Sequence, residues 1–218
     1  MTGIFPIYKP VGPTSHDIVD QVRVITGERR VGHAGTLDPL ASGILIVAVG
    51  REFTKELATL LKSDKEYVAE IRLGQTSATD DLEGELTKSK VQAIPALNQI
   101  ESTLRSFVGE IEQRPPVFSS IKISGKPAHR LARRGQAVNL ESRRVLIKAI
   151  KILEYNWPDL KLNVTTGPGV YIRALARDIG RILGVGGLLT ALERTRVGQY
   201  DKKTALSLAE FQKKYGKR

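Results

Sequence analysis

Cysteine is absent from this chain, and that excludes disulfides, thiolate nucleophiles and cysteine-ligated zinc. Histidine is nearly as scarce. His16, His33 and His129 stand at separations that match no metal-ligand spacing, so no metal is expected. The longest apolar run, centred on Ile44-Leu45-Ile46-Val47-Ala48-Val49, is far too short to span a bilayer. The start, Met-Thr-Gly-Ile-Phe-Pro-Ile-Tyr-Lys-Pro, lacks the basic opening and long apolar stretch of a signal peptide. No Walker sequence is present, and neither Gly167-Pro168-Gly169 nor Gly184-Val185-Gly186-Gly187 forms a dinucleotide fingerprint after a strand. There is no internal repeat or low-complexity tract. These absences fit a protein of a reducing cytoplasm, without a membrane partner.

What the chain does have is positive charge. Of its 218 residues, 34 are Lys or Arg against 23 Asp or Glu, a net +11 that suggests a polyanionic partner. The excess is concentrated. Nine basic residues and one acid, Glu141, lie between Lys122 and Lys151. A charge run is usually a solvated face, but one this one-sided, with no amphipathic lipid-binding helix beside it, favours nucleic acid. Hydrophobic content of 41% is ordinary for a globular domain.

The periodicities give short elements of both kinds. Ile4–Tyr8 reads as a strand, and Ser15 is expected to cap a helix over about His16–Thr26 that stops at Gly27. Ile44–Val49 reads as a buried strand, with a helix within Arg51–Lys62 behind it. Tyr67, Ala69, Ile71 and Leu73 alternate with more polar neighbours and mark a strand ending at Gly74. Asp80-Asp81 reads as an exposed turn. A helix over Pro95–Phe107 precedes Pro115-Pro116 and a strand expected at Val117–Ile123. A Ser124–Pro127 turn, a short helix near Ala128–Arg134, strands near Arg143–Tyr155 and Leu160–Thr166, and an amphipathic helix at Tyr171–Leu183 follow. Ser207 and Glu210 form a capping box for a last helix. The order is too irregular for a doubly wound fold. It implies an α+β domain around one mixed, mainly antiparallel sheet flanked by helices.

Most chemical candidates fail. Ser15-His16-Asp17 are adjacent and cannot converge as a triad. What remains is Asp38, the one carboxylate in the loop Val31–Gly43, where Gly32, Gly35 and Gly43 allow sharp turns and Pro39 keeps Asp38 extended. The bland alternative is an Asp that bonds nearby amides in a turn. In a site without metal or thiol, an ionised aspartate serves as a nucleophile or base at a sugar carbon. It needs a cation to stay ionised, and Arg173 is the candidate. Tyr67 and Tyr171 offer flat surfaces for a base. Taken singly, Tyr67 also reads as sheet core and Arg173 as one step of a solvated stripe with Arg177 and Arg181.

Five segments, in order, resemble the TruB family of tRNA pseudouridine synthases. Gly32–Gly43 resembles the catalytic loop, and Tyr8-Lys9-Pro10 with Gly12, Thr14 and Ser15 the N-terminal Lys-Pro motif. Ser63–Tyr67 with Leu73-Gly74 is similar to the aromatic strand, Gly169–Arg173 to the arginine motif, and Leu192–Gly198 to the segment closing the pocket. The resemblance covers about residues 4–211. It implies the pseudouridine synthase fold in one catalytic domain over 1–218, with a basic RNA-gripping insertion at about 118–142 and without the family's usual C-terminal RNA-binding domain. It implies isomerisation of uridine 55 in the T-loop of tRNA, with no cofactor. Asp38 is then the catalytic acid, attacking C1′ or acting as base at C2′. Tyr67 stacks on the base, Arg173 pairs with Asp38, Tyr171 and Leu192 line the pocket, His33 contacts RNA and Lys9 supports the site. Lys122, Lys126, Arg130, Arg133 and Arg134 are the expected RNA backbone contacts. The expected partner is the tRNA T-arm, bound by a monomer with no obligate protein partner. Two other readings are a non-catalytic RNA-binding or remodelling protein and a guide-RNA-dependent, dyskerin-like synthase.

Overall fold

The computed structural model describes residues 1–119, 121–123 and 125–216, apart from the side chain of His129; Ser124 of the expected turn lies outside these residues. In chain order the elements are β1 (Gly3–Lys9), α1 (Ser15–Thr26), β2 (Val31–Ala34), β3 (Ala41–Val49), α2 (Arg51–Leu61), β4 (Lys65–Leu73), β5 (Gln75–Ser77), β6 (Leu86–Lys88), α3 (Leu97–Ser106) and β7 (Gly109–Gln113). Then come β8 (Lys122–Ile123), β9 (Lys126–Pro127), α4 (Ala128–Ala132), β10 (Arg143–Asn156), β11 (Asp159–Thr166), α5 (Ile172–Ile182), β12 (Gly187–Val197), β13 (Tyr200–Asp201) and α6 (Leu208–Tyr215). The architecture is α+β with a mixed, mostly antiparallel sheet, as the sequence implies. Its residues fall into two compact units, 1–68 with 191–218, and 69–190.

The first unit is organised on β3. One edge of β3 pairs antiparallel with β1, from Gly3↔Val49 to Lys9↔Gly43. The other edge is shared: β2 pairs antiparallel with its second half and β12 pairs parallel with Ala41, Ser42 and Gly43. Both faces are covered, which explains the unbroken apolar run. Leu45, Val47 and Val49 pack with Ile18, Val19 and Val22 of α1 and with Phe211 of α6, while Ile44 and Ile46 face Leu57 and Leu60 of α2. Each such fully buried side chain stabilises the unit by about 1.5–3 kcal/mol. Helix α1 ends at Gly27 in the left-handed conformation, φ 68°. Its N-cap is Thr14, not Ser15. The Thr14 hydroxyl accepts from the Asp17 amide at 3.1 Å and the Asp17 carboxylate answers at the Thr14 amide at 2.7 Å.

The second unit carries the order β4-β11-β10-β7. Strands β10 and β11 form a long antiparallel hairpin from Asn156↔Asp159 to Ile147↔Thr166, and β7 pairs with the first residues of β10. Leu160, Leu162 and Val164 of β11 are buried, as are Leu175, Ala176 and Ile179 of α5. The strand expected at Val117–Ile123 is reduced to Lys122–Ile123. After Pro115-Pro116 the carbonyl of Phe118 accepts from Arg173, which takes it away from any ladder. Among the described residues, no helix is long and apolar enough to cross a membrane.

Candidate functional site

The loop that bears Asp38 is short, and its backbone polar groups are held from every side by residues of the first unit. The Ser15 hydroxyl, buried at the start of α1, accepts from the Leu37 amide at 2.8 Å and donates to the Leu37 carbonyl at 3.0 Å. On the other side of Asp38, the Gly12 amide donates to the Pro39 carbonyl at 2.8 Å, and the Ala41 amide closes a turn on the Asp38 carbonyl at 3.0 Å. Lys9, with no exposed surface, donates to the carbonyls of Ala41 at 2.6 Å and Pro10 at 2.8 Å. Asp38 itself is half-buried, while Leu37 beside it is 3% exposed and anchors the loop in the core.

Arg194 fastens the two ends of this loop. Only 1% exposed, it donates from Nε to the Ile44 carbonyl at 2.7 Å and from Nη2 to the Gly35 carbonyl at 3.0 Å, and it hydrogen-bonds the Tyr67 side chain. The approach is close enough to require glycine at position 43: a Cβ there, at φ +110°, would stand 2.3 Å from the Arg194 carbonyl oxygen. Tyr67 is 6% exposed, so it meets the expectation of a sheet-core residue and also has a polar partner at its tip. Leu192 is half-buried and pairs in register with Ala41, two strand positions before Arg194.

The electrostatics of the first unit are those of buried cations. Burial lowers the Lys9 ammonium to about 8, opposed by the nearby Asp38 and reinforced by Arg194. Lys65, which donates to the carbonyls of Leu61 at 2.9 Å and Ser63 at 2.7 Å, is likewise lowered to about 8, by burial first and then by Arg194. Burial and then Arg194 and His16 hold His33 below the usual imidazole value, and its buried Nδ1 has no hydrogen-bond partner among the described residues.

The second unit holds the other expected residues. Tyr171 is fixed through its backbone: its amide donates to Gln113 Oε1 at 2.9 Å, and Gln113 Nε2 donates to its carbonyl at 3.1 Å. Arg173 is no part of a solvated stripe. Its side chain is 7% exposed, lies 3.4 Å from the Asp81 carboxylate, and donates to the carbonyls of Thr79 and Phe118 at 3.0 Å each. Asp80-Asp81 is therefore a correction to the exposed turn expected from sequence. Asp80 is 8% and Asp81 1% exposed, because Arg177 and Arg173 neutralise them. Burial pushes the Asp80 carboxyl up, and Arg177 and Arg173 oppose it. Of the three α5 arginines only Arg181 is largely exposed. Lys122, Lys126, Arg130, Arg133 and Arg134 are all exposed. Among the described residues no cluster of three His, Asp or Glu side chains forms a metal site.

Sequence reasoning passed over Ser15 as a loop anchor, Arg194 as a clamp, and Asp80, Asp81 and Arg177 as buried ion-pair partners. A signal existed for the aspartates: two adjacent acids upstream of a helix with arginines at i and i+4.

A crystal structure of a pseudouridylate synthase superposes with a TM-score of 0.50 at 15% identity over 95% of this chain and 68% of that chain, which shows the fold alone. The structure of a Cbf5-Nop10-Gar1 complex matches with a TM-score of 0.77 at 32% identity, over 98% of this chain and 54% of that chain. An H/ACA RNP bound to a substrate RNA containing 2′-deoxyuridine matches with a TM-score of 0.73 at 29% identity, over 98% and 53%. This chain thus spans about half the length of those two. Residues 23–172 match the family model of the TruB family pseudouridylate synthase N-terminal domain, and residues 173–217 that of the tRNA pseudouridylate synthase B C-terminal domain. Among curated relatives, the chain is 45% identical over 213 residues to the tRNA pseudouridine synthase B of Mycobacterium bovis, covering 96% of this chain and 71% of that protein. It is 44% identical over 217 residues to that of Thermobifida fusca, covering 96% and 74%. The chain belongs to the TruB family of pseudouridylate synthases.

Proposed function

We propose that this protein isomerises uridine 55 in the T-loop of tRNA to pseudouridine, with Asp38 as the catalytic carboxylate. The observation that carries the reading is the loop itself: the backbone on both sides of Asp38 is pinned by Ser15, Gly12, Lys9 and Arg194, while Asp38 stays half-exposed. Preorganisation of this kind is what a reacting group requires. In the reaction the N1–C1′ bond breaks, the uracil turns, and a C5–C1′ bond forms. C5 loses a proton and N1 gains one, so the product is an isomer. Asp38 acts at C1′ as nucleophile or at C2′ as base.

The other roles follow from each residue's place in the family motifs. Tyr67 stacks on the base and assists the later proton transfer, and Arg173, the arginine of the arginine motif, binds the substrate. Tyr171 and Leu192 each contact the substrate, His33 meets RNA where the uridine leaves its stack, and Lys9 supports the loop. The exposed cations Lys122, Lys126, Arg130, Arg133 and Arg134 bind the phosphate backbone. Everting the nucleotide costs a few kcal/mol and is cheapest in a loop. The enzyme acts on the tRNA T-arm as a monomer in the cytoplasm, with no cofactor and no obligate protein partner. Relatives at 44–45% identity named as tRNA enzymes support a tRNA substrate over the assemblies matched at 29–32%.

The test is incubation with an unmodified tRNA transcript alone, with site mapping of pseudouridine. Asp38→Asn is expected to abolish product while leaving tRNA affinity within about tenfold, roughly 1.4 kcal/mol. Undiminished turnover by that variant overturns the assignment of Asp38. Product formed only when a guide RNA is added overturns the tRNA reading.

A further inference from the structure

Arg177 lies one helical turn beyond Arg173 on α5, and the proposed reaction gives it no role. Its guanidinium is nevertheless fully engaged. Nη1 donates to Asp80 at 2.9 Å, Nε to Asp178 at 3.1 Å, and Nη2 to the carbonyl of Arg114 at 2.7 Å. Arg114 is the first residue after β7 and leads into the basic insertion at about 118–142, the basic arm. Its own guanidinium reaches across to the far end of that arm, donating to the Leu140 carbonyl at 3.1 Å and to the Asn139 side chain. The arm is thus a loop closed at its root, and the root hangs on the start of α5 by three residues. Gln113 exchanges two hydrogen bonds with the Tyr171 backbone, Arg177 holds the Arg114 carbonyl, and Arg173 holds the Phe118 carbonyl.

The loop Thr79-Asp80-Asp81 grips the same two arginines from the other direction, through the Thr79 carbonyl, Asp80 and Asp81. Arg173 and Arg177 therefore each bridge that acidic loop to the backbone of the arm. A planar guanidinium can span a carboxylate and a carbonyl at once, where glutamine cannot supply both the charge and the reach.

We propose that Arg177 is a positioning residue that couples the basic arm to Arg173. Phosphate held by Arg133 and Arg134 loads the root, and the root loads α5 through the carbonyls of Arg114 and Phe118. RNA engagement by the arm thereby sets the placement of Arg173. This rests on the proposed function, since it needs the arm to hold the substrate.

Two measurements separate the claim from the reading beneath it. In the free protein, Arg177→Gln is expected to speed tryptic cleavage within residues 122–134 by about tenfold, with other sites unchanged, because the root opens locally. An unchanged cleavage rate overturns the clamp, whatever the enzyme does. The second measurement is a double-mutant cycle on the single-turnover rate at saturating tRNA, pairing Arg177→Gln with Arg133→Ala/Arg134→Ala. Each side is expected to lower the rate about tenfold, Arg177→Gln with tRNA affinity within about threefold, and the combination to be no slower than either. Independent effects that multiply to about a hundredfold, or no rate change in Arg177→Gln, overturn the coupling. Absence of pseudouridine from the wild-type reaction overturns the function proposed above, and with it the coupling, and leaves the cleavage result to judge the clamp.

Discussion

Ser15 and Thr14 are neighbours at the start of one helix, and the structure gives them different work, which single substitutions can separate. Thr14 is exposed and caps α1 in a reciprocal box with Asp17. Removing a cap of this kind costs about 1 kcal/mol. Ser15 is 2% exposed and bonds both polar groups of Leu37, next to Asp38. Ser15→Ala strands a buried amide and a buried carbonyl, each costing about 1–3 kcal/mol when left unpaired. A loss near 3 kcal/mol is expected, a shift of about 1–1.5 M in the urea midpoint if the slope is about 2–3 kcal/mol/M. The catalytic loss should be of similar size in free energy. A displacement of about 1 Å in a reacting group costs about a hundredfold in rate, so Ser15→Ala is expected to slow pseudouridine formation by about that factor. Thr14→Ala is expected to stay within about twofold of wild type, because its bonds end on Asp17 and not on the loop. Urea unfolding and single-turnover pseudouridylation on both variants decide it. If Thr14→Ala loses as much activity as Ser15→Ala, or Ser15→Ala turns over at the full rate, the idea that Ser15 positions Asp38 is wrong.

Two further outcomes follow from the charges. Replacing Arg133 and Arg134 by alanine should weaken tRNA binding and flatten its dependence on salt. The log–log slope is expected to shrink by up to ~0.9 for each duplex phosphate no longer neutralised and ~0.7 for each single-stranded one; an unchanged slope removes these residues from the RNA interface. The buried Lys9 ammonium is lowered from 10.5 to about 8, so between those values the unfolded chain holds a proton that the folded chain has released. The unfolded state binds more protons in that window, and wild-type stability gains with rising pH there through Lys9. Lys9→Met removes the gain while leaving that of Lys65, so the stability of the variant relative to wild type is expected to fall by at most about 3 kcal/mol from pH 8 to pH 10.5. Urea midpoints at the two ends of the window report it, and a difference independent of pH refutes it.

Much of the fold was legible because local pattern and tertiary packing agree. The apolar run of β3 reads as doubly covered, and helices α1 and α2 lie on its opposite faces. Alternation in β4 and β11 matches the residues that are buried. The failures have one physical origin, a polar group satisfied by a partner distant in the chain. Phe118 reads as strand until Arg173 takes its carbonyl, and Asp80-Asp81 reads as an exposed turn until α5 supplies two guanidinium groups 92 or more residues away. Ser15 fits the cap preference, but the hydroxyl one residue earlier wins the cap, which frees Ser15 for Leu37.

The buried cations show how far strand parity alone reaches. In β1, Ile7 and Lys9 share a face by the two-residue period, and Ile7 is wholly buried; Lys65 stands in the same relation to Tyr67, Ala69 and Ile71 in β4. Both lysines were therefore readable as inward-pointing. Arg194 was not, because its burial follows no alternation in β12 and depends on the parallel pairing that brings it to Gly43. All three donate N–H groups to backbone carbonyls: Pro10 and Ala41, Leu61 and Ser63, Gly35 and Ile44. A cation used in this way fixes the course of the main chain through turns that have no ladder to fix them. The positive charge of this protein accordingly serves two purposes that composition cannot distinguish. The exposed arm supplies it as the RNA-binding surface proposed above, and the interior of the first unit supplies it as internal scaffolding for the loop that presents Asp38.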